Sequence, residues 1–227
     1  MEIHKIPKSD YDAVAVSLLK HQFIKLQQKK NKITVALSGG NTPLPILAEL
    51  AKENLSWEKF HFFMVDERCV SIDDAQSNFG NIKKIFFDNV SSSCYSMVDE
   101  KFTFDESIKE YEDLLLKEVE LDKEVPVFDL IVLGMGEDGH VASLFPETIA
   151  LSEQKRIVVR NNVPQLNMDR ITLTYPVLLN AKETMIMIKG KKKRQVFEQM
   201  YKNGKTNFPM QRIVDQKRNI SWIIERE

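Results

Sequence analysis

Residues 127–146 read VFDLIVLGMGEDGHVASLFP, and this stretch decides the fold class. Its first half, 127–133, is apolar and rich in branched side chains, without clean polar alternation. That is the pattern of a strand buried on both faces, as in a parallel α/β sheet. The character then changes abruptly: Gly134, Gly136 and Gly139 break the strand, and Asp138 and His140 stand among them. Ligands of open α/β sheets bind outside the carboxyl ends of strands, where this loop would lie. A carboxylate two residues from a histidine on a glycine-rich turn suits acid–base catalysis.

The spacing Gly134-x-Gly136-x-x-Gly139 also matches the dinucleotide fingerprint, which needs a long helix opening at the third glycine and an acidic residue about 20 residues on. Here Pro146 follows His140 closely and leaves room for one or two helical turns. The next strand-like run, 156–160, ends in arginine rather than in Asp or Glu. The sequence therefore disfavours a nucleotide site.

Outward from this loop, the chain alternates helical and strand-like segments. Residues 9–30 carry apolar side chains at helical spacing, with Ser9 as N-cap and Asp12 three residues on; His21 reads as a helix-face residue. Residues 33–37, ITVAL, form a buried-strand pattern ending in Ser38-Gly39-Gly40-Asn41-Thr42-Pro43. Pro43 suits the first turn of a helix reaching about residue 54. The glycines before it allow backbone N–H groups to converge at a helix N-terminus, a phosphate site in form, although no Gly-Lys-Ser/Thr makes it a Walker loop. Residues 60–65 are a second strand, ending in Asp66-Glu67-Arg68; the fork of Arg68 can bind an anion through two bonds. Helical spacing returns over 78–87, a short strand is expected at 94–97, and Thr103-x-x-Glu106 is a capping box for a helix to about residue 119. Beyond the central loop, strands are expected at 156–160, 170–174, 184–189 and 220–224, with a basic helix following Gly190. One α/β domain spanning 1–227 is the economical reading.

Composition excludes several classes. The chain has 227 residues, 43% hydrophobic and 29% charged, enough for one sizeable core. With 32 basic against 33 acidic side chains the net charge is −1, so no global field favours nucleic acid. The cluster 189–194 lacks interleaved aromatics and reads mostly as a solvated helix face. The first residues contain no apolar signal core and no segment approaches 18 apolar residues, so no membrane association is expected and the cytoplasm is the expected location. Cys69 and Cys94 are the two cysteines; neither a disulfide nor a zinc site is expected from them.

Taken in order, SGGNTP (38–43), VDERCVSIDDAQSNFG (65–80), GMGEDGHVASLFP (134–146), RITLTYPVLLNA (170–181) and GKKK (190–193) resemble the signatures of the 6-phosphogluconolactonase family over nearly the whole chain. The resemblance implies a single-domain, Rossmann-like α/β fold with a mostly parallel sheet flanked by helices, shared with glucosamine-6-phosphate deaminases and related to ribose-5-phosphate isomerase. It implies hydrolysis of 6-phosphogluconolactone to 6-phosphogluconate in the oxidative pentose phosphate pathway, without metal or other cofactor, and a functional link to glucose-6-phosphate dehydrogenase. The histidine of that family's Asp-Gly-His motif falls on His140.

On this reading His140 is the general base, Asp138 orients it or its water, and Arg68 or a glycine-loop amide meets the oxyanion. Substrate is expected to meet Gly39, Gly40, Asn41, Thr42, Asp66, Arg68, Arg170 and Lys193, with Arg170 and Lys193 on the phosphate. Ser143 lacks the strand–turn–helix context of a nucleophile. The chain departs from the family at Glu225, close after Trp222, and at Pro209-Met210; both are expected to lie away from the glycine loops. The alternatives are a deaminase-type sugar-phosphate enzyme, whose motif continues to an asparagine–glutamate pair absent from 142–146, and a regulator that binds phosphosugars without turning them over.

Overall fold

The computed structural model describes every residue except Lys205, and Asn203 by its backbone alone. In chain order the elements are β1 (Glu2–Pro7), α1 (Tyr11–Gln27), β2 (Ile33–Leu37), α2 (Pro43–Leu50), β3 (Phe60–Met64), β4 (Asp66–Arg68), α3 (Asn78–Ile85), β5 (Ser93–Cys94), α4 (Phe104–Glu118), β6 (Glu120–Asp122), β7 (Val125–Val127), β8 (Leu130–Gly134), β9 (Val158–Val163), β10 (Met168–Leu173), α5 (Tyr175–Asn180), β11 (Glu183–Ile188), α6 (Lys191–Asn203), α7 (Pro209–Gln216) and β12 (Ile220–Arg226). Seven strands form one sheet in the order β1-β12-β11-β8-β2-β3-β5, with every pair parallel. A small antiparallel sheet, β4-β10-β9, and a β6-β7 hairpin complete the strands described.

The central strands β2, β3 and β8 are almost wholly buried because both faces are covered, and Thr34 and His61 are their only polar side chains. On β3 the alternation of side chains sends Phe62 and Phe63 to opposite faces. Phe62 lies against Phe23, Trp57 and Phe86, whereas Phe63 lies against Tyr95, Tyr111 and Phe128. Tyr111 on α4 also ties its hydroxyl to the backbone of Met64 through both N–H and carbonyl. Helix α4 opens with the expected capping box, Thr103 and Glu106 satisfying one another's backbone.

The strand order sets where the site falls. From β2 the chain steps outward to β3, and from β8 it steps the other way to β11. Between β2 and β8 the winding therefore reverses, and their carboxyl ends leave a crevice there. Val35 and Leu37 stand opposite Leu130 and Val132, so the loop beginning at Ser38 and the loop beginning at Gly134 leave the sheet side by side. Their union is direct: the Ser38 N–H donates to the Val132 carbonyl and the Gly134 N–H to the Ser38 hydroxyl.

Several boundaries differ from expectation. Ser9 does not cap α1; the cap position is Asp10, whose side chain makes no capping bond. Helix α2 ends at Leu50, not near 54. The run 127–133 divides: Val127 ends the β6-β7 hairpin and β8 proper begins at Leu130. Residues 66–68, expected as charges at a strand end, form a strand of their own. Strand β1, the hairpin, α5 and α7 were not anticipated.

Candidate active site

A cleft of about 290 Å³ opens between the two glycine loops and the small sheet, lined among others by Gly39, Gly40, Asp66, Arg68, His140 and Arg170. Lys193, near the start of α6, closes one side.

The 134–140 turn brings Asp138 and His140 together. Asp138 Oδ1 accepts from the His140 backbone N–H at 3.1 Å and meets His140 Nδ1 at 2.6 Å. Burial alone would push the Asp138 carboxyl up, but the hydrogen bonds and charge of His140 outweigh it and hold it below its ordinary value. An ionised carboxylate only accepts, so the imidazole proton sits on Nδ1 and Nε2 is left as the basic nitrogen. The turn is closed by Gly136 N–H to the His140 carbonyl at 3.0 Å and by Gly139 N–H to the Gly136 carbonyl at 3.2 Å. Two glycines here are sterically required. A Cβ on Gly136 would lie 2.1 Å from His140 Nδ1, and Gly139 has a φ of +75° with Phe208 packed where its Cβ would be.

The small sheet supplies the positive charge. Alternation along β4 puts Asp66 and Arg68 into the cleft and turns Glu67 away. Glu67, almost wholly buried, accepts from the N–H groups of Arg68, Asn78 and Phe79, each at 2.7 Å, and from the Ser77 hydroxyl. It therefore pins β4 to the start of α3, where Asn78 donates to the Asp66 carbonyl and fills the space a side chain at Gly39 would need. Burial pushes the Glu67 carboxyl up, against the three N–H bonds.

On β10, Arg170 stands directly opposite Arg68. Like charges facing one another across a ladder are ordinarily destabilising. Compensation is partial: Arg170 Nη1 lies 3.9 Å from Asp66 Oδ2 and 3.5 Å from the Ser143 hydroxyl, which itself donates to Asp66 Oδ2 at 2.6 Å. Arg68 Nη1 reaches the Gln76 carbonyl. The Nε atoms of both arginines are buried without a hydrogen-bond partner among the described residues. Burial pushes Arg170 below its ordinary value, with Asp66 opposing. Burial likewise lowers Lys193, with the charge of Glu137, which pairs with the neighbouring Lys192, opposing it. A cleft with three such cations is built to receive an anion.

A model of the family described as glucosamine-6-phosphate isomerases/6-phosphogluconolactonase matches residues 8–222. The chain belongs to this glucosamine-6-phosphate isomerase/6-phosphogluconolactonase family. It is 34% identical to the 6-phosphogluconolactonase of Chlamydia trachomatis over 205 residues, covering 88% of this chain and 77% of that one. Identity to the Thermotoga maritima 6-phosphogluconolactonase is 34% over 185 residues, 81% of each. The crystal structure of a Thermotoga maritima 6-phosphogluconolactonase superposes with a TM-score of 0.88 at 30% identity, covering 99% of both chains. That of Leishmania guyanensis superposes at 0.85 and 25%, covering 99% and 96%.

Most residues expected at the site in this family member meet in the one cleft: His140, Gly39, Gly40, Asp66, Arg68, Arg170 and Lys193 all line it, with Asp138 one hydrogen bond behind His140. Asn41 and Thr42 do not line it; Asn41 is exposed and Thr42 buried at the head of α2. The expectation that Pro209-Met210 lies away from the glycine loops is overturned. The Met210 N–H donates to the Gly139 carbonyl at 2.9 Å, and the Pro209 carbonyl accepts from Tyr175. Glu225, by contrast, does not line the cleft: it accepts from the Gly190 N–H and from Arg194 at the start of α6, beside a separate pocket. Sequence reasoning missed the roles of Glu67, Asn78 and Ser143. Ser77-Asn78 at a helix start was a readable signal; the inward turn of Glu67 needed the register of β4.

Among the described residues, no helix is long and apolar enough to cross a membrane, and no group of three or more His, Cys, Asp or Glu side chains could hold a metal ion.

Proposed function

We propose that the chain, as one domain over 1–227, hydrolyses 6-phospho-D-glucono-1,5-lactone to 6-phosphogluconate, with His140 as general base. The observation that carries this reading is the Asp138–His140 pair at 2.6 Å, whose imidazole lines the same cleft as Arg68, Arg170 and Lys193. A lactone is an activated ester, so the reaction needs a base for water, a donor for the oxyanion and a proton for the leaving oxygen. Nε2 takes the proton from water as the oxygen attacks the lactone carbonyl. Arg68 stabilises the oxyanion, and the imidazolium, held by Asp138, returns the proton to the ring oxygen as the C–O bond breaks. Arg170 and Lys193 bind the phosphate with the amides of Gly39 and Gly40. Nothing in this sequence calls for a metal or a redox cofactor.

The deaminase-type reading requires an additional acid just beyond the histidine. Residues 142–146 provide none, and Glu147, the first acid after them, does not line the cleft. Retention of both Asp138 and His140 speaks against a silent regulator. A cytoplasmic location and a functional link to glucose-6-phosphate dehydrogenase, whose reaction yields this lactone, belong to the same reading. The test is acid release from freshly prepared lactone above its spontaneous rate, with chelator present. Ammonia release from glucosamine 6-phosphate without lactone hydrolysis overturns the proposal.

A further inference from the structure

The imidazole of His140 lies flat on the ring of Phe145, with centroids 3.9 Å apart and planes inclined by 27°. The guanidinium carbon of Arg170 lies over the same ring, 5.2 Å from its centroid. Phe145 is itself buried and does not line the cleft. The hydrogen bond to Asp138 fixes one nitrogen of the imidazole but leaves the tilt of its plane free, and the bare Cα of Gly136 beside Nδ1 offers no wall. The wall is the aromatic ring.

From these contacts we infer that Phe145 is a positioning residue for the reaction: its ring sets the plane of His140 and the lie of Arg170 together. This rests on His140 being the base. A flat aromatic face suits both groups, because a planar cation stacks favourably on a ring quadrupole, and His140 becomes such a cation once it has taken the proton. An aliphatic side chain of similar volume can fill the space without offering that face. The ring is held in turn by the 141–148 turn, in which Leu144 N–H donates to the Val141 carbonyl and Thr148 N–H to the Phe145 carbonyl.

The experiment compares Phe145→Leu, Phe145→Met and Phe145→Tyr with the parent and with His140→Ala. Its readouts are lactone hydrolysis, thermal unfolding and the proton NMR resonances of the His140 ring. Phe145→Leu is expected to lower kcat by roughly tenfold through misplacement of the base and to raise KM by roughly threefold through the loosened Arg170. Phe145→Tyr is expected to restore most of both. The His140 ring protons should lose their upfield ring-current shift in the Leu and Met variants and keep it in the Tyr variant. If Leu does not fold, Met carries the comparison. Parent-like kcat and KM in a folded Leu or Met variant, beside an inactive His140→Ala, overturns the positioning role and leaves the base reading standing. An active His140→Ala overturns the base reading, and this inference with it.

Discussion

Gly136 offers a test of the catalytic geometry without touching a functional group. Its neighbour Gly134 is free to accept a Cβ, with nothing within 4 Å, whereas a Cβ at Gly136 would stand 2.1 Å from His140 Nδ1, 2.2 Å from Cε1 and 2.5 Å from Asp138 Oδ1. Ordinary contact begins at 3.4 Å, so the imidazole would have to retreat by about 1.3 Å, the difference between 3.4 and 2.1. Phe145 already occupies one face of the ring, and the Asp138 bond at 2.6 Å cannot survive such a shift unaltered. A displacement of about 1 Å at a reacting group can cost on the order of 100-fold, about 2.7 kcal/mol of transition-state stabilisation. Gly136→Ala is therefore expected to lower kcat about 100-fold; Gly134→Ala adds its methyl to the open cleft without meeting the Asp138–His140 pair, so its kcat should stay within about threefold and any loss should fall on KM. The assay is acid release from 6-phosphogluconolactone corrected for the spontaneous rate, with thermal unfolding to confirm that both variants fold. A folded Gly136→Ala enzyme with parent-like kcat would refute the argument, since turnover would then not depend on where the imidazole sits.

Other outcomes follow from the same geometry. His140→Ala and His140→Gln should each lower kcat by roughly 10²–10⁴-fold with the fold intact; near-normal turnover in steady-state kinetics would reduce His140 to a turn residue. Arg170→Ala should raise KM by roughly ten- to a hundredfold on the phosphorylated lactone while changing activity on unphosphorylated gluconolactone little; an equal loss of turnover on both would move Arg170 to the reacting end. Asp129 is buried and accepts from the Thr34 N–H and from Lys30 and Lys182; burial alone would push it up, but these partners hold it below the ordinary Asp value. Its contribution is thus fully present above about pH 4 and is lost as pH falls through its lower folded value. Asp129→Asn should lower stability by about 1–3 kcal/mol at pH 7, and in unfolding curves taken at falling pH that deficit should shrink towards zero; a deficit unchanged by pH would contradict the assignment.

How much of this was legible in the sequence depended on whether a residue's role was local. Strand β2 was read to the residue, because an apolar run closed by Ser-Gly-Gly states both its burial and its end. Helix α4 was equally plain, since a capping box is written within four residues. The 134–140 turn could be recognised because its glycines and its Asp-His pair are neighbours in the chain. What could not be read was whatever a distant segment decides. Val127 belongs to a hairpin rather than to β8; Asp129, the one charged residue of the run, stands at that division, but a single carboxylate does not by itself announce a change of partner. Strand β1 buries only Ile6 and leaves Glu2, Ile3 and Lys5 exposed, so no burial pattern announces it, and it is a strand because β12 lies beside it. Glu67 read only as the middle one of three charges at a strand end, and only the pairing of β4 with β10 turns it inward. The placement of Pro209 and Met210 against Gly139 was likewise invisible, being a contact between segments about seventy residues apart.

The pairing of β1 with β12 carries a consequence for the order of assembly. Residues 2–7 emerge from the ribosome more than 200 residues ahead of their sheet partner, residues 220–226. Throughout synthesis the first strand must wait, while β2, β3 and α2 between them can already associate. Strand β12 lies between β11 and β1, and the segment leading into it also delivers the Met210 bond to the 134–140 turn. Closure of the sheet and completion of the active site are therefore late and joint events. A nascent chain stalled before residue 209 would hold a preformed but unsupported Asp138–His140 turn, and competence would arrive with the final strand.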